Sequence, residues 1–378
     1  MSKLNTFLTG VKVLDLSQYI PGPMASLYLA DMGAEVLKIE PPQGDPMRLL
    51  GPRDSDGEAV FHRALNSGKA IRRMNLKDPA ERDALLALLS DYDVLIEGFR
   101  PGVMARLGLD YSAISTINPS LIYCSISGYG ATGSQAQRPA HDGNYLATSG
   151  IMHRNGTDRP VFYDPPLSDV TGSLYALSAI LGALYRRQQE GTGCHIDLGL
   201  ADVAMPIQML QIASWGTDRI NPARSETYLN GGAAYYNVYA TRDGRYIMLG
   251  AVEAKFWANF CVLAERPNWI VRHNEPLPQA NLIADLQSYF VTQSLTEILA
   301  LFGEGECCLS PIYDLDGALS QKHLTERGLV QRSADGELQA LFPVLIDGAR
   351  PHLRAAPADY HSAAVASHPP KKIFVSRK

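Results

Sequence analysis

The sequence lacks several features that would assign it to a broad class of protein. Its formal net charge is −5 at pH 7, so it lacks the basic surface with which a nucleic-acid-coating protein neutralises phosphates. Its longest strongly apolar run, residues 174–185, is well short of the roughly 20 residues that cross a bilayer. The first residues lack the apolar core and cleavage site of a signal peptide. We therefore expect a cytoplasmic protein that binds neither nucleic acid nor membrane.

Cysteine is scarce in this sequence and is not spaced for a metal site. The five cysteines include no Cys-x-x-Cys pair, and no histidine is spaced to complete a zinc site. Cytosolic conditions keep isolated thiols reduced. We therefore predict no bound metal and interpret the cysteines as reduced core residues, namely Cys124, Cys194, Cys261, Cys307 and Cys308.

Short apolar strands alternate with helical patterns through the first part of the chain. A strand at 11–16 is followed by a helix at 24–32 and a second strand at 34–40, and this βαβ order requires parallel strands with the helix on one face. The alternation continues with helices at 79–89 and 111–117 and strands at 93–98 and 121–126. The predicted fold is therefore α/β, with a large open parallel-sheet, Rossmann-like domain.

The pattern changes after about residue 220. Before it, a long helix is predicted from Asp169 to about residue 189, and another over 201–215. After it, alternating strands around Arg242-Asp243-Gly244 predict a hairpin, and a helix begins at Glu253. The predicted domains are a large α/β domain over 1–220, a small α+β domain over 221–325, and a C-terminal segment over 326–378 with an extended or disordered tail after residue 355.

One glycine-rich stretch matches a nucleotide-binding pattern by its letters alone. Gly128-Tyr129-Gly130-Ala131-Thr132-Gly133 has the spacing of a dinucleotide-binding loop, but that loop works only where a helix begins and receives the pyrophosphate. A loop follows here instead. We therefore interpret these glycines as a sharp bend and predict no NAD or FAD.

Three residues carry groups that suit the movement of a proton. His141 precedes Asp142 in a loop, Asp169 lies at the start of the long helix, and Glu253 opens a helix far downstream. Imidazole and carboxyl groups act as acids and bases near neutral pH when burial and neighbours tune them. Each also has a structural interpretation, as a hydrogen-bonded loop histidine or as an acid at a helix start. The local pattern leaves both interpretations open.

Basic residues follow several of the predicted strands. Lys38 lies at the end of the second strand, and Lys69 lies before the helix predicted over 79–89. Arg100 and Arg106 flank Pro101-Gly102-Val103-Met104. Ligands of open α/β sheets bind at the carboxyl ends of the strands, and cations there suit a phosphorylated ligand. Scattered surface charge is the alternative.

Taken together, these motifs resemble family III of the CoA transferases, the CaiB/BaiF superfamily, and within it the alpha-methylacyl-CoA racemase branch. Family-wide features are Val13-Leu14-Asp15-Leu16, Asn66-Ser67-Gly68-Lys69 and the stretch 97–108, which begins Glu97-Gly98-Phe99-Arg100. Features typical of the racemases are His141-Asp142-Gly143-Asn144-Tyr145 and Gly250-Ala251-Val252-Glu253. Matching segments run from about residue 10 to about residue 330.

The resemblance implies a racemase or epimerase of 2-methyl-branched acyl-CoA thioesters that exchanges the α-proton through an enolate. It implies an interlocked homodimer, a final segment that returns to the large domain, and no cofactor, since coenzyme A is part of the substrate. His141 with Glu253 would form one base and Asp169 the other. The residues expected to contact CoA or line the site are Lys38, Lys69, Arg100, Asp142 and Tyr145.

Two other functions remain open from the sequence. A CoA transferase would use Asp169 as a nucleophile, moving CoA between carboxylic acids through an aspartyl-CoA thioester, and would need no histidine. A catalytically inactive CoA-binding scaffold would need neither. His141 favours the racemase, whereas Ala70 and Val170-Thr171 depart from the family pattern near the expected ligand.

Overall fold

The computed structural model describes residues 3–360 and contains two compact units. The first consists of Met1–Arg138, Asp169–Leu200 and Leu329–Lys378, as far as these ranges are described, and the second of Pro139–Ser168 and Ala201–Gly328. Most of the tail predicted to be extended or disordered, residues 361–378, lies outside the described residues.

Helices and strands alternate through much of the described chain. The strands are β1 (Lys12–Asp15), β2 (Glu35–Glu40), β3 (Ala70–Arg73), β4 (Val94–Glu97), β5 (Ile122–Ser127), β6 (Cys194–Gly199), β7 (Tyr236–Ala240), β8 (Tyr246–Gly250), β9 (Leu309–Pro311), β10 (Val330–Arg332), β11 (Leu338–Ala340) and β12 (Ala358–Asp359). The α-helices are α1 (Pro21–Asp31), α2 (Val60–Asn66), α3 (Pro79–Leu89), α4 (Val103–Arg106), α5 (Tyr111–Ile117), α6 (Asp142–Thr148), α7 (Ile151–Arg154), α8 (Leu167–Glu190), α9 (Met209–Asp218), α10 (Ala254–Leu263), α11 (Ala280–Phe290), α12 (Leu295–Phe302), α13 (Leu315–Leu319) and α14 (Lys322–Arg327).

The first unit is built on a seven-stranded sheet in the order β12-β3-β2-β1-β4-β5-β6, and every neighbouring pair is parallel. The predicted large parallel α/β sheet is therefore confirmed. The chain builds outward from β1 in one direction through β2 and β3, then returns to β4 on the other side. The strand order thus reverses between β1 and β4, and such a reversal opens a crevice at the carboxyl ends of the strands.

Burial on both faces explains the continuous apolar sequence of the central strands. All four residues of β4 are buried, and β2 is buried from its second residue onward. Helices on the faces of a parallel sheet produce this pattern. On one face, Leu85 and Leu89 of α3 pack with Leu14 and Leu95 from β1 and β4. Asp78 caps α3 by accepting the N–H of Ala80 at 2.8 Å, which fixes where that helix begins.

The second unit has a three-stranded antiparallel sheet, β7-β8-β9, covered by helices. Its core contains Trp257 and Phe260 from α10, Phe290 from α11 and Phe302 from α12, each at most 1% exposed. The predicted hairpin is confirmed, because β7 pairs antiparallel with β8 across the Arg242-Asp243-Gly244 turn.

The second unit ends at Gly328 and not at residue 325 as predicted. It also contains two segments that were predicted in the large domain, 139–168 and 201–220. The reason is packing between them: Leu146 and Ile151 lie against Ala204, and Gln208 donates to the carbonyl of Ser149 at 2.9 Å. The helix predicted over 201–215 was wrong in its first half. Pro206 cannot donate a helical hydrogen bond, and two short 3-10 turns precede α9.

Among the described residues, α8 alone is long and apolar enough to meet the criteria for a membrane span. It has 24 residues, and 39% of its most apolar 18-residue stretch is buried. Within the first unit, Ala176, Leu177 and Ile180 are at most 5% exposed. The opposite side is open, with Tyr175 and Tyr185 at 40% and 66% exposure. One face of α8 therefore belongs to the core and the other is uncovered.

Candidate active site

A short hydrogen bond joins two helix starts in the second unit. The Oδ1 atom of Asp142, the first residue of α6, accepts the N–H of Ser168 in the first turn of α8 at 2.6 Å. Ser168 is fully buried, and a carboxylate that accepts a backbone N–H makes a strong, charge-assisted bond. His141 and Asp169 are the chain neighbours of the two bonded residues. The predicted bases are thus each one residue from this bond.

His141 stands immediately before α6 and is exposed. Its backbone is extended, with φ −129° and ψ 174°, and its main-chain N–H donates to Oδ1 of Asn144 at 3.0 Å. The hydroxyl of Tyr145 donates to the carbonyl of Ala140 at 3.0 Å, and Tyr145 is 3% exposed. The loop that carries the imidazole is therefore held to α6 from both sides. The ligand contacts predicted for Asp142 and Tyr145 stay predictions.

Asp169 lies in the first turn of α8 and is partly exposed. Close packing holds this turn within the first unit, because a Cβ atom added at Gly172 would lie 2.5 Å from Cδ2 of Leu200. A larger residue at Gly172 would require the side chain of Leu200, just past β6, to move. The sequence placed Asp169 correctly near a helix start, and its catalytic role stays a prediction.

Glu253 precedes α10 in the second unit and is exposed. Its carbonyl accepts the N–H of Trp257 at 3.1 Å. Burial raises the pKa of Tyr228, and electrostatic repulsion from Tyr236, Tyr235 and Glu253 raises it further. Among residues 3–360 no hydrogen bond or ion pair joins the side chains of Glu253 and His141. Their predicted pairing in a dimer stays a prediction.

A groove of about 410 Å³ opens at the carboxyl ends of β1, β2, β3 and β4 in the first unit. We name it the carboxyl-edge groove. It lies where the strand order reverses, the usual ligand position in open α/β sheets. Its lining residues are Leu16, Gln18, Ile39, Glu40, Pro41, Pro42, Gln43, Met74, Asn75, Leu76, Lys77, Phe99, Val103, Arg106 and Leu107.

The groove combines apolar walls with two exposed cations, Lys77 and Arg106. Arg100 is exposed but does not line the groove, and within the described part of the chain its guanidinium makes no hydrogen bond or ion pair. The sequence analysis did not predict that Gln18 and Phe99 line the groove. The available signal was position, since each closely follows the carboxyl end of a strand, where a ligand of this fold binds.

Lys38 and Lys69 are placed inside the first unit, at 0% and 2% exposure. The ammonium group of Lys38 pairs with Asp45 at 2.9 Å and donates to the carbonyl of Ser17 at 2.8 Å. That of Lys69 donates to the carbonyl of Pro23 at 2.8 Å and lies 3.4 Å from Asp15. Both charges are therefore held by protein groups, and their predicted contact with CoA stays a prediction.

Burial and the neighbouring charges shift the pKa values of Lys69 and Asp15. Burial lowers the pKa of Lys69 to about 7, against the raising effect of Asp15 and with a further lowering by Lys38. Burial alone would raise the pKa of Asp15, but Lys38, Lys69 and the hydroxyls of Ser17 and Ser26 outweigh it and lower the pKa.

Within residues 3–360, no three His, Cys, Asp or Glu side chains gather to hold a metal ion.

Comparisons with known proteins confirm the family resemblance. The CoA-transferase family III model matches residues 8–364. The acetyl-CoA:oxalate CoA-transferase of Acetobacter aceti is 32% identical over 356 residues, 90% of this chain and 89% of that protein. The human alpha-methylacyl-CoA racemase is 30% identical over 332 residues, 85% of this chain and 81% of that protein.

A solved structure agrees over the same length. A CaiB/BaiF family protein from Brucella suis is 28% identical with a TM-score of 0.83, and the match covers 95% of this chain and 98% of that one. Racemases and transferases both occur among the relatives. With its parallel sheet, its carboxyl-edge groove and a family match over nearly its whole length, the chain belongs to CoA-transferase family III.

Proposed function

We propose that the protein racemises or epimerises 2-methyl-branched acyl-CoA thioesters, with His141 and Asp169 as the two bases. The observation that carries this proposal is the 2.6 Å bond between Asp142 and the N–H of Ser168, because it fixes the helix starts next to which both candidate bases lie. The relationship to the human racemase supports it. An imidazole and a carboxylate are suitable acid–base groups near neutral pH.

The reaction needs two groups because inversion uses both faces of one carbon. One base takes the α-proton, the C–H electron pair moves into the thioester, and a planar enolate forms. The second group, in its acid form, returns a proton to the opposite face. Amides at a helix start stabilise a developing oxyanion. The N–H of Ser168 already binds Asp142, so in this proposal other donors serve the enolate oxygen.

The CoA portion is assigned in this proposal to the carboxyl-edge groove. An adenine ring has two apolar faces and a polar edge, which suits a groove with Phe99 and Pro41 beside Gln18. The phosphates of CoA suit Lys77 and Arg106, the exposed cations of the groove. In this assignment the predicted residue Arg100 has a smaller share in binding, since it lies outside the groove.

A homodimer is part of the proposal. In the second unit, α9 has no buried residue and exposes Met209, Leu210 and Trp215 by 64%, 66% and 48%. An uncovered apolar helix on a protein surface marks an interaction site. A second copy of the chain, as the family resemblance implies, would cover α9, and in a dimer Glu253 would assist the base of the partner. Sedimentation velocity measures the mass, and a monomer at micromolar concentration would contradict this part.

CoA transfer between carboxylic acids is the second candidate function. It is favoured by the 32% identity to the acetyl-CoA:oxalate CoA-transferase. In this reaction the carboxylate of Asp169 attacks the thioester carbonyl and CoA leaves as a thiolate, which gives a mixed anhydride. The CoA thiolate then attacks the aspartyl carbonyl of the anhydride, so that the aspartyl-CoA thioester forms and the donor acid leaves as a carboxylate. A second carboxylic acid completes the transfer. No step requires the imidazole of His141.

The deciding experiment uses one enantiomer of a 2-methylacyl-CoA in deuterated water without an acceptor acid. The proposal expects one deuterium at the α-carbon together with loss of optical purity, measured by mass spectrometry and chiral chromatography. Retention of hydrogen and configuration across a panel of such thioesters would contradict it. His141→Ala should abolish the loss of optical purity, because inversion needs both bases, whereas a transferase assayed with an acceptor acid should largely keep its rate. Asp169→Ala should abolish both activities.

A further inference from the structure

We propose that Lys38 is a positioning residue for CoA binding, which acts through the turn between β1 and α1 and not by touching the ligand. This inference rests on the proposed binding of CoA in the carboxyl-edge groove. It concerns a cluster of four fully internal charges, which we name the buried lysine cluster: Asp15, Lys38, Asp45 and Lys69, each at most 2% exposed.

The cluster holds Ser17 from both sides of its backbone. The N–H of Ser17 donates to Oδ1 of Asp15 at 2.9 Å, and its carbonyl accepts from Lys38 at 2.8 Å. The hydroxyl of Ser17 also donates to Asp15. The residues on either side of Ser17, Leu16 and Gln18, both line the groove. The orientation of this stretch of groove wall is therefore set from inside the protein.

The far end of the same turn is held by Lys69. Its ammonium group donates to the carbonyl of Pro23 in the first turn of α1 at 2.8 Å and to Oδ1 of Asn66 at 3.0 Å. Between these anchors, Tyr19 has a positive φ of 63°, a conformation that persists in a non-glycine residue when its surroundings over-determine it. A side chain at Gly22 would collide with that of Ser17. The turn thus has little freedom to adjust.

Direct contact of Lys38 with a phosphate conflicts with this arrangement. Its ammonium group has no exposed surface and already faces Asp45 at 2.9 Å. A phosphate could reach it only by breaking that ion pair and uncovering both charges, and separated buried charges are strongly unfavourable. Lys77 and Arg106 are exposed in the groove and need no such rearrangement.

The two modes of action predict opposite results for one substitution, Asp45→Asn. If Lys38 positions the turn, loss of the Asp45 charge loosens Lys38 and weakens CoA binding. If Lys38 binds phosphate directly, the same change removes a competitor and leaves binding equal or tighter. Asparagine retains the oxygen that accepts the N–H of Met47 at 2.9 Å, so the cap at that position survives.

Titration of Lys69 gives a second test. The charged groups that face it are Asp15 from β1, Lys38 from β2 and Asp45. Its pKa is lowered to about 7, first by burial, so it loses its proton as the pH rises through the neutral range and its ion pair with Asp15 is lost. CoA affinity should therefore fall as the pH rises from about 6 to about 8. Lys69→Met should remove this fall.

The experiment measures binding of free CoA to the full-length chain by isothermal titration calorimetry. We expect about five- to tenfold weaker binding for Asp45→Asn and at least tenfold for Lys38→Met, with kcat at saturating substrate within about twofold. Lys12→Met, at the amino end of β1, is the matched control and should bind as the wild type does. Circular dichroism establishes that each variant is folded, and Asp45→Asn decides the question where Lys38→Met does not fold.

The outcomes separate this inference from the proposed function. Equal or tighter binding by Asp45→Asn overturns the positioning role of Lys38 alone. CoA binding that depends on the cluster, in an enzyme that exchanges no α-proton, leaves the positioning role standing and overturns the racemase. A wild-type chain that does not bind free CoA overturns both.

Discussion

The bond between Asp142 and Ser168 permits a quantitative test of how the candidate bases are held. Asp142→Ala removes the carboxylate and takes from the buried N–H of Ser168 the acceptor that lies at 2.6 Å. Loss of an acceptor from a buried amide costs about 1–3 kcal/mol. We expect the free energy of unfolding to fall by this amount, measured by urea denaturation with circular dichroism as the signal.

The same substitution should reduce activity by more than it reduces binding. His141 and Asp169 each adjoin one end of the lost bond, and a small displacement of a reacting group lowers the rate steeply. We expect kcat for α-proton exchange to fall about 10–100-fold, which corresponds to roughly 1.4–2.8 kcal/mol. The KM for the acyl-CoA should change less. Asp142→Asn retains an acceptor oxygen and should recover most of the stability and part of the rate.

A matched control separates the loss of stability from the loss of positioning. Asp314 accepts the N–H of Gly317 at 2.8 Å at the exposed start of α13 in the same unit, so Asp314→Ala also removes a bond from a carboxylate to a main-chain N–H at a helix start. It should cost about 0.5–2 kcal/mol of stability and leave kcat unchanged. The reasoning is refuted if Asp142→Ala keeps the wild-type kcat, or if both variants lose activity to the same extent.

Two further predictions concern charges in the first unit. Glu40 is 1% exposed, and although burial raises its pKa, His62 and Arg48 lower it to about 2 from 4.5. The ionised carboxylate of Glu40 contributes on the order of 2 kcal/mol, after solvent screening, to the free energy of unfolding; this contribution is present above pH 4.5 and is lost as the pH falls towards 2. The free energy of unfolding of Glu40→Gln, measured in urea, should therefore depend less on pH in this range than that of the wild type. Parallel pH profiles of the two proteins would contradict this prediction. Arg106→Ala should weaken CoA binding about tenfold, and Arg100→Ala should weaken it less. The reverse order, measured by calorimetry, would contradict the assignment of CoA to the carboxyl-edge groove.

Helices with strong local signals were predicted to the residue. The predicted helices over 79–89 and 111–117 coincide with α3 and α5. In the first case Asp78 caps the helix and Pro79 is its first residue, a combination that fixes a helix start without help from the rest of the fold. The helix predicted over 201–215 failed for an equally local reason, because Pro206 cannot donate a helical hydrogen bond and two short 3-10 turns precede α9.

The predicted contacts of the basic residues show a different limit. A lysine at the end of a strand has the same local sequence whether its ammonium group reaches a ligand or an internal carboxylate. The partner that decides the case for Lys38 is Asp45, which follows β2, caps the 3-10 turn Pro46–Leu49 and lies 2.9 Å from the ammonium group of Lys38. Such a return path is a property of the tertiary structure, and the spacing of basic residues along the chain does not contain it.

The edge of the large sheet was also beyond prediction from local pattern. Ala358–Asp359 forms β12 and pairs in parallel with β3, and the N–H of Tyr360 donates to the carbonyl of Ile71 at 2.8 Å. Two residues give no period-2 pattern to detect. The strand exists because β3 offers unpaired backbone groups at the edge of the sheet, which another segment of chain can cover.

The distinction between racemase and transferase depends on a side chain whose removal leaves the surrounding backbone bonds intact. The hydrogen bond from residue 141 to Asn144 uses the main-chain N–H of His141, and the bond to Ser168 uses Asp142. His141→Ala therefore deletes the imidazole and preserves both. A loss of racemisation in this variant, with an unchanged free energy of unfolding, would therefore report on proton transfer. A transferase, which uses only the carboxylate of Asp169, would be unaffected, so the two functions separate at one residue.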